Sequence, residues 1–196
     1  MFPYPKFYHF IVDRMPPQIG QFISEAVYDG LLESNPQHSV TNERMACHFI
    51  NIPSQEQLHG TSWKNLEECQ TILHIAAMLQ AKNKQFRIIT PYDAQRSLIE
   101  ERLKLNELEW EDKCFNVDSF QGNEEDYIII SLVRSMALGF IADLRRTNVM
   151  LTRCKKGMII CTSQKFMKRA GCDSLVGSLL EYYEHEWIEK DDLDKI

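Results

Sequence analysis

The run from Tyr127 to Val133, YIIISLV, is seven residues of almost unbroken apolar and β-branched chain. A strand with one face in water alternates apolar and polar residues; a strand without alternation has both faces covered. Covering both faces takes helices on both sides of a sheet, reached by crossover connections between parallel strands. Directly ahead of this strand stands VDSFQGNEED, with Gln121 and Gly122 followed by Glu124, Glu125 and Asp126. The most hydrophobic strand of the chain therefore has a glycine and a row of carboxylates at its mouth.

The rest of the chain predicts the helices such a strand needs. Pro16 and Pro17 open a helix with Ile19, Phe22, Ile23, Ala26 and Val27 at helical spacing, and Asp29-Gly30 is its stop. Residues 31 to 46 read as a loop or small excursion. Cys47 to Ile52 reads as a strand ended by Pro53. Ser62 is the expected cap of an amphipathic helix from Trp63 to about Lys82, with Leu66, Cys69, Ile72, Leu73, Ala76 and Leu79 on one side. FRIIT is a strand, and PYDAQRSLIEERLKL a helix with Pro91 in its first turn. CFNV is a strand, DLRRTNVMLTRCKK a helix and GMIICT a final strand. Asp173 is the expected cap of a C-terminal helix, and the acidic tail after Trp187 is expected to fray. This order predicts an α/β fold with a mainly parallel sheet and helices on both faces.

In such sheets ligands bind outside the carboxyl ends of the strands. Two polar clusters fall there: Thr90, Pro91, Tyr92 and Gln95 after FRII, and Asp118 to Gln121 after CFNV. Gly122 to Asp126 then enters the next strand from its opposite end. A net charge of −6 argues against binding nucleic acid through bulk charge alone. The distribution is uneven. Ala142 to Ala170 holds eight Lys or Arg against one acid, and Glu181 to Ile196 holds seven acids against two lysines. The basic stretch suits either a phosphate-bearing partner or a solvated helix face. A helix from Asp143 would put Arg146, Met150 and Arg153 on one face, the arginines about 10 Å apart along its axis. Two such forks beside Asn148 suit a polyphosphate, a partner carboxylate or plain solvent.

The six cysteines form no C-x-x-C pair, which argues against zinc and for reduced thiols. MFPYPKFYHFIVDRM has no basic segment followed by an apolar core, and no apolar run reaches the length of a membrane span. An intracellular protein, in cytoplasm or nucleus and without a membrane partner, is expected. No G-x-G-x-x-G, G-x-S-x-G or HExxH supports a small-molecule enzyme.

VDSFQGNEEDYIIISLVRS and GFIADLRRTNVMLTRCKKGMIIC resemble motifs V and VI of superfamily 1 helicases of the nonsense-mediated-decay type and their DNA-acting relatives. IITPYDAQ, FINIPSQEQLHGTSWKNLEEC and DRMPPQIGQFISEAVYDGLL resemble further segments of the same group, in the same order, so that the likeness runs from about Asp13 to Thr162. The resemblance implies a three-layer RecA-like domain of the P-loop NTPase type, the second of two motor domains, over residues 1–170. Residues 171–196 would add a C-terminal helix and acidic tail.

In this family ATP sits between the two motor domains, and the second supplies arginines that reach the γ-phosphate. By matched position these are Arg14 and Arg153. Glu124, presented by the turn at Gly122, is implied near the nucleotide, with Arg146 as a further nucleotide-binding candidate. Thr90, Pro91, Tyr92 and Gln95 match the segment lining the nucleic-acid path, and Val117 and Ser119 match the start of motif V. Asp118 and Gln121 suit loop geometry and domain contact. Glu125 and Asp126 suit a solvated turn. Tyr92 suits equally a helix start packed on the core.

The chain also departs from the family. Val12 and Asp13 stand where motif IV has Gln-Tyr before Arg-Met, and Asn123 stands where a basic residue is common. No Gly is followed by Lys and no Asp by Glu. The phosphate loop and the Mg²⁺-holding acids of a first motor domain are therefore absent from this chain. ATP and Mg²⁺ are expected to bind only together with an N-terminal RecA-like domain, in cis or in trans, and no metal site is expected in the chain itself. Its opening, where the earlier motifs would have ended, fits a truncated reading frame. The partner is expected to be single-stranded RNA or DNA. The alternative is a free-standing, non-catalytic nucleic-acid-binding or regulatory module.

Overall fold

The computed structural model describes residues 15–40, 46–182, 184 and 186–193, together with the backbone of residues 10–12. Strand β1 (Phe10–Val12) precedes α1 (Pro17–Val27) and β2 (Leu32–Ser34), and the two strands pair in parallel. Then come β3 (Cys47–Asn51), β4 (Gln57–His59), β5 (Ser62–Lys64), α2 (Leu66–Ala81), β6 (Phe86–Thr90) and α3 (Asp93–Leu105). The chain continues through β7 (Cys114–Asn116), β8 (Glu125–Ser131), α4 (Leu144–Leu151), β9 (Cys154–Thr162), α5 (Gln164–Met167), α6 (Leu175–Tyr182) and β10 (Trp187–Glu189). The main sheet runs β10-β3-β9-β8-β6-β7, every neighbouring pair parallel.

The apolar run Tyr127–Val133 forms most of β8, which lies between β9 and β6. Its side chains divide between two cores, as strand geometry requires. Ile128 and Ile130 pack with Ile19, Phe22, Met150 and Val176 of α1, α4 and α6. Ile129 packs with Ile72, Ile75, Ile99 and Leu103 of α2 and α3. Each fully buried isoleucine stabilises the fold by about 1.5–3 kcal/mol, so this strand is the fold's anchor.

Several local expectations are corrected. Ser62 does not cap α2. Residues 62–64 pair back on 57–59 in a small antiparallel hairpin, and Asn65 is the cap, accepting the Glu68 N–H at 3.1 Å. Leu66 is therefore exposed. Pro91 precedes α3 instead of opening it, because Tyr92 is the residue before the helix. The helix expected from Asp143 into Lys156 stops at Leu151, and β9 already begins at Cys154. Ser174, rather than Asp173, caps α6, accepting the Gly177 N–H at 3.1 Å. The tail does not simply fray: Trp187–Glu189 adds an edge strand to β3, and Leu193 is buried. All six cysteines are free thiols. Burial pushes Cys47 and Cys161 well up and holds Cys154 at about 12, which keeps these thiols protonated and inert.

Candidate functional site

Two polar rims close the ends of the parallel sheet. At the amino end of β8 the loop turns at Gly122, whose φ of +87° a side chain would strain. The ladder from β8 to β9 then loses register. Glu125 faces Cys154, but Tyr127 faces Gly157, so β9 carries one extra residue. Such a bulge re-aims side chains. Here Lys155 meets Glu124 at 3.4 Å and Lys156 meets Asp126 at 2.7 Å. Glu125 pairs with Arg87 at 3.1 Å. Glu125 and Asp126 are thus ion-paired strand residues, not the solvated turn expected of them. Arg153 is 8% exposed. Its Nε donates to the Val149 carbonyl at 2.6 Å and its Nη1 to the Asn123 carbonyl at 3.4 Å, while its own carbonyl accepts the Glu125 N–H. The structure therefore joins Gly122, Glu124 and Arg153 in one corner.

Arg146 stands elsewhere. It lies in the first turn of α4, stacks over Phe140 at 4.4 Å and forks onto Asp118 at 2.5 and 3.2 Å. Asp118 follows β7 at its carboxyl end, so Arg146 and Arg153 occupy opposite rims, linked by α4. The shared helix face expected for them does not form, because Arg153 lies beyond the helix. Arg14 and Asp13 lie outside the described residues.

The carboxyl rim collects the other polar groups. Tyr92 is half-buried, and its hydroxyl accepts the Phe140 N–H at 3.2 Å. Pro91 is half-buried beside it. Ser119 is exposed; its N–H donates to Asn116 Oδ1 at 2.7 Å. Three other candidates do not face solvent. Thr90 is buried, with a hydroxyl that has no partner among the described residues. Val117 packs in the core. Gln95 is 0% exposed: it accepts the Asn65 N–H at 2.8 Å and donates to the Asn65 carbonyl and to Ser131 Oγ at 3.1 Å each. Its expected contact with a nucleic-acid strand is corrected to a structural one, since every polar atom of its amide faces inward.

The sequence reading missed what lies under this rim. Arg134 stacks on Trp63 at 4.1 Å and donates to Glu56 at 3.0 Å, and the Ser135 hydroxyl also donates to Glu56. Burial raises the Glu56 carboxyl, but the hydrogen bonds from Ser135 and Arg134 outweigh it and hold the group below its usual range. Val133 has φ of +67° and is fully buried, a strained state for a β-branched residue. Its N–H donates to Glu68 at 2.9 Å and its carbonyl accepts from Asn65 Nδ2 at 3.3 Å. Ser131 Oγ donates to the same Glu68 oxygen at 2.6 Å. A Glu three residues after a helix cap was the one available signal, since that spacing marks a first helical turn.

Burial pushes Glu68 up to about 8, against the bonds from Ser131 and Val133. The folded state then holds a proton that the unfolded chain, with an ordinary value near 4.3, releases. That contribution to stability is complete below the unfolded value and is lost as pH rises through the folded one. Thermal melts between about pH 5 and pH 9 are expected to show the wild type losing stability relative to Glu68→Gln as pH rises. Parallel curves for the two proteins would refute this.

An all-parallel sheet with helices on both faces, polar at both strand ends, is a three-layer α/β domain. The chain matches the AAA domain family over residues 12–165. It is 35% identical over 195 residues to a regulator of nonsense transcripts 1 from Dictyostelium discoideum, covering 88% of this chain and 14% of that protein. It is also 35% identical over 183 residues to the ATP-dependent helicase upf1 of Schizosaccharomyces pombe, covering 80% and 19%. Among solved structures, the C-terminal domain of a possible DNA helicase from Lactobacillus plantarum shares the fold. Its TM-score is 0.52 at 11% identity, over 91% of this chain and 98% of that one. The chain belongs to the AAA domain family and is a C-terminal RecA-like domain of the nonsense-decay type of superfamily 1 helicase. It spans under a fifth of the length of these two relatives. No helix among the described residues is long and apolar enough to cross a membrane.

Proposed function

We propose that this chain is the second motor domain of an ATP-dependent helicase acting on RNA or DNA. It supplies arginine fingers to a nucleotide and part of a single-strand path, and it hydrolyses no ATP without an N-terminal RecA-like domain. The observation that carries this reading is the corner of Gly122, Glu124 and Arg153 at one end of β8, with Tyr92 and Ser119 at the carboxyl rim. A guanidinium near the surface of a domain can stabilise charge on a phosphoryl group held by another. The donors present fit that outer role. The chain has no lysine-bearing phosphate loop and no adjacent Asp-Glu pair, so the cradle for ATP and Mg²⁺ has to come from the N-terminal domain. Exposed hydroxyls and aromatic faces hold a strand without reading its bases.

The second reading, a non-catalytic binding or regulatory module, is favoured by Val12-Asp13 in place of the usual motif IV residues and by the inward hydrogen bonds of Arg153. Reconstitution separates the two. The chain alone is expected to show background ATP turnover. Joined to an N-terminal RecA-like domain of its family, it is expected to give strand-stimulated turnover. Turnover that stays at background in the assembly while the strand still binds would establish the module instead.

A further inference from the structure

β3 and β9 are neighbours in the sheet, yet the chain leaves them toward opposite faces. β3 leads through the hairpin to α2, whose Ile72 and Ile75 fill one core. β9 leads to α5 and α6, whose Phe166 and Val176 fill the other. Where connections part in this way, a crevice opens outside the carboxyl ends of the strands, and open α/β sheets bind ligands there. Here the crevice has a volume of about 370 Å³ and is lined by Pro53, Ser54, Ser135, Ser163, Lys165 and Arg169, among others.

Its chemistry is that of an anion site. Lys165 and Arg169 are exposed and have no carboxylate partner among the described residues, whereas Arg134, next to the lining Ser135, is paired with Glu56, and Arg146, on the same rim, with Asp118. None of the lining residues is acidic. Ser163 accepts the Phe166 N–H at 3.4 Å, and its own hydroxyl proton has no acceptor among the described residues. Two cations and a hydroxyl donor without acid partners among the described residues line one opening in a chain of net charge −6.

We infer that this crevice binds a backbone phosphate of the single strand. It extends the path from the Tyr92 and Ser119 end of the rim across β8 to β9 and β3. The inference rests on the single-strand reading proposed above. From β6 to β3 is three strand spacings, roughly 14 Å. A cation pair in that place holds the strand's register without reading its sequence.

The test measures binding of a labelled single-stranded oligonucleotide to the full chain over a range of salt concentrations. It compares wild type, Lys165→Gln/Arg169→Gln and a control with the same charge change, Lys84→Gln/Arg102→Gln. Each phosphate contact contributes about 0.7 to the slope of log affinity against log salt on single strands. The crevice variant is expected to lose affinity about tenfold and to lower that slope by roughly 0.7, the share of one phosphate. The control should change neither, and both variants should melt with the wild type because the replaced side chains are exposed. A crevice variant that binds with the wild-type slope overturns the inference and leaves the single-strand reading standing. A wild-type chain that binds no strand removes that reading as well. If pyrophosphate raises the melting temperature of wild type but not of the crevice variant, while strand binding is equal in both, the site serves a free phosphate and the strand assignment falls.

Discussion

Replacing Arg153 with alanine, in an assembly of this chain with an N-terminal RecA-like domain, is expected to slow strand-stimulated ATP hydrolysis by about 10³- to 10⁵-fold. That is the range over which a guanidinium delivered across an interface acts on the transferring phosphoryl group. Arg153 is suited to delivery because its backbone is pinned on both sides. Its carbonyl accepts the Glu125 N–H, and its neighbour Cys154 begins β9. Its side chain rests on the Val149 and Asn123 carbonyls and on Thr152 Oγ1, and these bonds must break for the fork to turn outward. Losing those bonds costs stability of order 1–3 kcal/mol, which melting of the variant will reveal separately. Arg153→Lys keeps the charge but not the planar fork and is expected to remain deeply impaired. Turnover at saturating ATP is the measurement, with strand binding followed in parallel. Wild-type turnover in the alanine variant would remove Arg153 from the chemistry.

Gln95→Ala is expected to destabilise the fold by about 2–5 kcal/mol, since each buried polar group left unpaired costs about 1–3 kcal/mol. The amide ties the start of α2 to the end of β8 through Asn65 and Ser131, and no water-facing group can replace it. Chemical denaturation is the check. A variant of wild-type stability but weakened strand binding would return Gln95 to the nucleic-acid path where its place in the sequence first put it.

These residues also mark where sequence reading works. Ile128 to Ile130 announce a two-sided strand because nothing polar interrupts them, and burial on both faces leaves no other arrangement. Proline and glycine bound α1 for equally local reasons. Ser62 misled because a serine before an apolar helical pattern looks like a cap. The residue that caps, Asn65, stands three positions later, and only the pairing of 62–64 with 57–59 exposes it. Helix α4 ends early because Arg153 joins a ladder whose partner strand is remote in sequence. Trp187–Glu189 is too short to announce a strand and exists because β3 offers it an open edge. At the site, residue types were legible, but which side chains face inward was not. Thr90, Val117 and Gln95 lie in segments that look polar or terminal and are buried by tertiary packing.

Helix α4 reaches Asp118 through Arg146 of its first turn at one end of the sheet and ends two residues before Arg153 at the other. Eight helical residues span roughly 12 Å. A rod of two turns, packed along one side through Met150 and Leu151, is too short to bend and too well seated to twist freely. The helix therefore holds the Arg146 and Arg153 ends of the domain at a fixed separation.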